Sequence, residues 1–268
     1  MTLSEKEVPA RVGTSSEDKR PGRSSLPQFY ASATVLSANE HANLRLKPPQ
    51  SYGFAARARS LPLNAVEFAH AALSYPIVFV PGGKAPAALA VVGLREKENL
   101  FVDDLGRWEP DAYVPAYARR YPFIVAQVGA EASNGAQFTL CADLESGFFA
   151  QDTGSPLFDA GKPSRHAKEA LRFCLSYQQG TVATDTFIQK LLEYDLLVPK
   201  QGRFTLASGE DLHPPNFLTV SEERLKKLGD AAHLDLRRNG WLPVIHAQLL
   251  SQLNWTRLLS RADRRSSG

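Results

Sequence analysis

Tyr75-Pro-Ile-Val-Phe-Val80 leads into Pro81-Gly82-Gly83 and then Ala87-Ala-Leu-Ala-Val-Val-Gly-Leu94. The first run is β-branched and aromatic, the second almost wholly apolar, and the Pro/Gly connection between them is a turn signal. Together they predict a hairpin with both strands largely buried. Asn99-Leu-Phe-Val-Asp103 follows and ends at Asp104-Leu-Gly106, while Phe123 to Val128 and Gln137 to Asp143 read as a second hairpin across a Gly/Ser/Asn loop from Gly129 to Gly135. Strands so close together, without helices regularly between them, argue for an antiparallel sheet and against a doubly wound fold.

Helical periodicity flanks this region. Asn64 to Leu73 carries Val66, Ala69 and Leu73 at helix spacing, with Asn64 as N-cap. After Leu157 the period changes. Ser164 caps a helix with Ala167, Leu171, Phe173, Cys174 and Leu175 on one face. A second helix is predicted from about Thr184, with Phe187, Ile188, Leu191 and Leu192 inside. Arg203–Leu206 and Asn216–Val220 read as short strands. Ser221 then opens a helix with Glu222 and Glu223 in its first turn, where the helix dipole favours negative charge. A last helix, about Pro243 to Leu259, places Ile245, Leu249, Leu250 and Leu253 along one stripe. The expected fold is α+β, an antiparallel β-rich N-terminal half packed with a helical C-terminal half. Residues 1–27, poor in large apolar groups, read as a disordered arm; 28–260 form one domain and 261–268 a disordered tail.

Composition narrows the function classes. The 268 residues carry 31 Lys and Arg against 28 Asp and Glu, a net charge of +3, and the basic groups are dispersed rather than gathered into a stripe. That disfavours a nucleic-acid partner. No apolar run is long enough to cross a bilayer and no leader-like segment opens the chain, so the default expectation is a cytoplasmic protein, with leaderless export to the cell surface left open. Two cysteines, Cys141 and Cys174, are too few for a disulfide scaffold and are not spaced as metal ligands. No two of the six histidines stand three or four residues apart, so no metal or other cofactor is implied. Gly82-Gly83-Lys84 lacks the glycine spacing and the following Ser/Thr of a phosphate loop.

One segment stands out chemically. Tyr113-Val-Pro-Ala-Tyr-Ala-Arg-Arg-Tyr-Pro-Phe123 sets three tyrosines and an arginine pair in eleven residues with no acid among them. Tyr and Arg anchor interfaces because each combines apolar contact with directed hydrogen bonds. Tyr113, Tyr117, Arg119, Arg120 and Tyr121 are therefore the candidate binding residues, for a protein partner or an acidic or carbohydrate-like ligand. The competing reading makes the same aromatics core and pairs the arginines internally. Glu67, in an apolar context beside Phe68, is the expected partner of Arg119 or Arg120. Glu67, Cys141 and Asp143 also form the polar set of an enzyme pocket in a second reading, and His70 with His166 complete a cysteine–histidine arrangement that no local signature supports. A third reading is a lattice subunit that assembles with copies of itself.

The strings Leu61-Pro-Leu-Asn-Ala-Val-Glu-Phe68, Tyr75-Pro-Ile-Val-Phe79, Val92-Gly-Leu94, Asn99-Leu-Phe101, Trp108, Tyr113 to Phe123 and Leu157-Phe-Asp159 stand in the order and spacing of a known family. So do Leu191-Leu-Glu193, Leu196-Leu-Val-Pro199, Phe217 and His246-Ala-Gln-Leu-Leu-Ser-Gln-Leu-Asn254. Over roughly residues 28 to 259 the chain resembles the SapC family. That family takes its name from a bacterial protein linked to a paracrystalline surface layer, and many relatives resemble companions of outer-membrane receptor and flavin-dependent halogenase-like genes. The resemblance implies an accessory, non-enzymatic role in a surface-layer or envelope-uptake system, or alternatively an accessory to a halogenase-type oxidoreductase. It supplies no catalytic residue set. Ala142, between Cys141 and Asp143, departs from the bulky apolar residue the family tends to have there.

Overall fold

A five-stranded antiparallel sheet organises the molecule, in the spatial order Leu197–Lys200, Phe217–Val220, Ile77–Val80, Ala87–Val91, Ser60–Pro62. The computed structural model describes residues 26–48, 51–82, 85–128, 137–212 and 215–266. The expected arm, apart from Leu26 and Pro27, lies outside the described residues, as do Gly83 and the predicted Gly129 to Gly135 loop. The fold is α+β as expected: antiparallel sheets dominate the first half and helices the second.

The first hairpin pairs Ile77 with Ala90 and Val80 with Ala87. Ile77, Val78 and Phe79 are all buried, which is why this stretch reads as a continuous apolar run rather than an alternating one. Two strands from the second half complete the same sheet, so both halves share one core. At its centre Phe68 meets Phe79 and Phe187, all fully buried, with ring centroids 6.3 and 6.2 Å from Phe68. A second sheet, Thr34–Val35, Gln137–Ala142 and Phe123–Val128, contains the second predicted hairpin and packs on the long helix. Asn99–Asp103 forms no strand, only the single bridge Val102–Trp108.

The helices differ from the sequence expectation in ways that have physical causes. One unbroken helix, Arg165–Glu193, replaces the two that were expected, and Leu192 is exposed on it. Its Gly180 sits where a Cβ would come within 2.7 Å of the Asn64 side chain, and Thr184 Oγ1 accepts a hydrogen bond from Ala65 N at 2.8 Å. Gly180, in the stretch between the two expected helices, is a docking point. Asn64–Leu73 is a 3-10 turn, Ala65–Glu67, followed by a single α-turn, Phe68–Ala71. This change of pitch turns Glu67, Phe68 and Ala71 inward and leaves Val66 and Leu73 exposed, the reverse of the predicted face.

The C-terminal helix is broken into Trp241–Ser251 and Asn254–Ser266, preceded by an unforeseen helix, Asp230–Arg238. Its polar residues satisfy main-chain groups of the sheet and its approach. Ser251 accepts from Ile77 N, Gln248 donates to Ile77 O and accepts from Val220 N, and Asn254 donates to Ala72 O and Tyr75 O. Ile245 is the buried member of the predicted stripe, while Leu250 and Leu253 are exposed. The expected disordered tail from Arg261 is instead helical to Ser266: Ala262 is buried, Arg261 pairs with Glu109, and Arg265 donates to Asn99 O.

Candidate functional site

The Tyr113–Phe123 segment folds around Pro115, whose fixed φ starts a one-turn helix, Ala116–Arg119, with Arg120 as its C-cap. The Tyr121–Pro122 bond is cis, and the strand begins at Phe123. Successive helical residues are about 100° apart, so adjacent arginines cannot share a face. Arg120 points in and Arg119 points out.

Arg120 is 8% exposed, and its guanidinium lies 4.4 Å from the Tyr177 ring, 4.7 Å from Tyr117 and 5.8 Å from Tyr30. Among the described residues it forms no ion pair, and its buried Nε has no hydrogen-bond partner. The tyrosine faces take the place of a counter-ion. The hydroxyls of two of these tyrosines serve the backbone: Tyr30 donates to Phe123 O and Tyr117 to Gln28 O. Burial pushes the Tyr177 phenol up to about 12 and raises those of Tyr30 and Tyr117 as well.

Glu67 is buried, as its apolar context implied, but it contacts neither arginine. Its carboxylate accepts from Asn64 N (3.0 Å), Ala116 N (2.7 Å) and the Tyr113 hydroxyl (2.9 Å). It thereby caps its own turn and ties the candidate segment to it. Burial, then the neighbouring Glu67 charge, moves the Tyr113 phenol up to about 12. Arg119 reaches this network only through Tyr113: Nη2 donates to the Tyr113 hydroxyl at 2.9 Å and Nε to Val114 O at 3.0 Å. Its guanidinium also stacks over Tyr113 and Phe173, at 5.5 and 5.3 Å. Nη1 keeps no partner among the described residues.

Asp143 is 1% exposed and engaged on every side. It accepts from Ala31 N, Ser32 N, Ser32 Oγ, Glu145 N and the Tyr121 hydroxyl. It pins the incoming chain to the second sheet and leaves no free lone pair poised for proton transfer. Burial raises the Cys141 thiol and takes Cys174 to about 11, and neither is disulfide-bonded. Such thiols are poor nucleophiles. Among the described residues neither His70 nor His166 bonds to Cys141 or Asp143. His70 stacks on Tyr113, and His166 lies exposed on the long helix. Among the described residues no three His, Cys, Asp or Glu gather as metal ligands.

Outside this packed centre, Arg119 and Tyr121 line a cavity of about 420 Å³. Its wall is aromatic. Phe54 lies 4.4 Å from Tyr121 by ring centroids, Phe148 lies 5.6 Å from Tyr121 and 6.0 Å from Phe54, and Tyr52 extends the row at 6.0 Å from Phe54. Lys47 and His166 join Arg119 as its basic groups. None of the described residues that line it is acidic. Of the five candidate binding residues the structure thus brings Arg119 and Tyr121 to a cavity, seats Tyr113 behind Arg119, and buries Tyr117 and Arg120. Sequence reading missed Lys47, Tyr52, Phe54 and Phe148, and set His166 in a cysteine–histidine arrangement instead. Their signal was faint: aromatics beside glycine in irregular stretches, Tyr52-Gly-Phe54 and Gly147-Phe148.

The α+β fold thus carries a depression in which an aromatic wall meets the basic side chains of Lys47, Arg119 and His166. The SapC family profile matches residues 36–258, and the chain belongs to that family. No curated protein and no solved structure matches it. Among the described residues no helix is long and apolar enough to cross a membrane.

Proposed function

We propose that this SapC-family protein is a non-enzymatic binding component of a bacterial surface-layer or envelope-uptake system, and that it holds an acidic partner at the face carrying Arg119 and Tyr121. The observation that carries the reading is the union of three basic side chains with an aromatic wall in a cavity whose described lining has no carboxylate. Positive potential in a low-dielectric recess favours an anionic group, and rings supply contact area at low entropic cost. Tyr113 and Glu67 act behind the surface, holding Arg119 extended. Tyr117 and Arg120 support it from within. An enzyme reading built on Glu67, Asp143 and Cys141 has less to stand on, because each of the two carboxylates is consumed by main-chain donors and tyrosine hydroxyls.

The test is retention of envelope components from the source cells on the immobilised protein. Arg119→Ala and Lys47→Ala together are expected to abolish specific retention while leaving thermal unfolding nearly unchanged. Undiminished retention by the double variant would refute the site.

A further inference from the structure

The cavity beside Tyr121 is more selective than a basic patch. Resting on the reading above, we infer that its ligand is a small amphiphilic anion: an apolar, ring-sized body carrying a single carboxylate-, sulfonate- or phosphate-type head. Three features require both parts. First, Phe54, Tyr121 and Phe148 are mutually in contact, so the wall is one continuous apolar surface rather than scattered rings. Second, the cations are already part-committed. Lys47 Nζ donates to Gly147 O at 2.8 Å, and Arg119 spends Nε and Nη2 on Val114 O and the Tyr113 hydroxyl. What remains is suited to one compact head, not to a string of charges.

Third, the described lining contains no Asp, Glu, Asn or Gln, the side chains that take sugar hydroxyls in pairs, and the Tyr121 hydroxyl is already given to Asp143. This turns the expectation away from a polyhydroxylated ligand. The volume of about 420 Å³ falls within the roughly 300–1,000 Å³ span of small-molecule sites. The apolar body lies on the Phe54–Tyr121–Phe148 wall, and the head meets Arg119 Nη1 with Lys47 and His166 alongside.

Fluorescence titration of the full chain with 8-anilino-1-naphthalenesulfonate tests this, against N-phenyl-1-naphthylamine, which keeps the rings without the charge, and sodium sulfate, which keeps the charge without the rings. The sulfonate is expected to saturate at one per chain and to be displaced poorly by sulfate. Lys47→Gln with Arg119→Gln should weaken the sulfonate about tenfold or more, roughly 1.4 kcal/mol, and leave the neutral amine unchanged. Ser155→Trp, at a half-exposed lining position, should exclude both probes without altering the melting temperature. Equal affinity for the neutral and charged probes, or binding indifferent to Ser155→Trp, would overturn the inference. The two proposals separate cleanly. Loss of envelope retention in the arginine–lysine variant with no saturable sulfonate site leaves the accessory role standing and removes the small ligand. A saturable, charge-dependent site with unaltered retention does the opposite.

Discussion

Arg120→Ala should destabilise the protein far more than Arg119→Ala, although the two residues are adjacent and chemically identical. Arg120 is almost wholly buried, with two tyrosine faces within 4.7 Å and a third at the margin of effective range. Two desolvated cation–π contacts and a weak third contribute about 3 kcal/mol. The two stem methylenes that alanine lacks, Cγ and Cδ, add about 1.6 kcal/mol. Against this stands the unpartnered Nε, whose removal returns about 1–3 kcal/mol. The net loss for Arg120→Ala is then about 2–4 kcal/mol, a fall of roughly 5–12 °C in melting temperature for a chain of this size. Arg119→Ala, at an exposed position, should stay within about 1 kcal/mol of the parent.

Urea unfolding followed by circular dichroism measures both. Arg120→Met sharpens the test, since it keeps the stem and deletes the charge, and should lose about 1 kcal/mol as the cation–π contacts go and the desolvation penalty is relieved. An Arg120→Met protein more stable than the parent would refute the argument, because the cage would then tolerate the guanidinium rather than gain from it. So would an Arg120→Ala protein that melts within about 2 °C of the parent.

Glu67→Ala should cost about 3–5 kcal/mol in urea unfolding, because it orphans two buried main-chain donors and a half-buried hydroxyl at once, whereas Glu67→Gln keeps a carbonyl acceptor and should cost less than half as much. Gly180→Ala, which at a free helix position would gain about 1 kcal/mol, should instead destabilise by about 1–2 kcal/mol by driving into Asn64. In an Asn64→Ala background the sign should reverse, and a double-mutant cycle reads the difference. Alkaline pH should unfold the chain through its buried phenols. Folded pKa values above the ordinary 10.0, about 12 for Tyr177, mean that the unfolded state releases those protons first, so this stability is intact below pH 10 and is lost as pH rises through 12. Absorbance at 295 nm should show part of the tyrosinate signal appearing only with loss of the circular dichroism signal; ionisation of all eight tyrosines in a still-folded protein would contradict it.

What the sequence made legible was whatever depends on local pattern. The Ile77–Val80 and Ala87–Val91 hairpin, its neighbour at Phe123–Ala142, and the Ser164 and Ser221 caps all follow from apolar runs, turns and capping chemistry that neighbours in the chain supply. Three of the failures involve partners more than forty residues away. The long helix runs through Gly180 because Asn64 and Ala65 occupy the notch there. The C-terminal helix breaks before Asn254 because that side chain is committed to the Ala72 and Tyr75 carbonyls. The cationic tail holds its helix because Glu109 and the Asn99 carbonyl meet it. No propensity scale carries such information, since each contact exists only once the sheet has assembled.

The candidate segment shows the same limit within two residues. Its composition posed a choice between recognition and packing, as though one answer had to cover the whole stretch. A one-turn helix forbids a single answer, because the rotation that sends Arg120 among Tyr30, Tyr117 and Tyr177 necessarily sends Arg119 toward solvent. Moreover, the inward half makes the outward half usable. Tyr113 is fixed by Glu67, Arg119 by Tyr113, and Tyr121 by Asp143, so the groups facing the cavity are held before any ligand arrives. Preorganisation of this kind lowers the ordering entropy charged to binding. On the proposed reading, the buried tyrosines and carboxylates, which look catalytic in isolation, serve recognition by keeping one guanidinium and one ring in place.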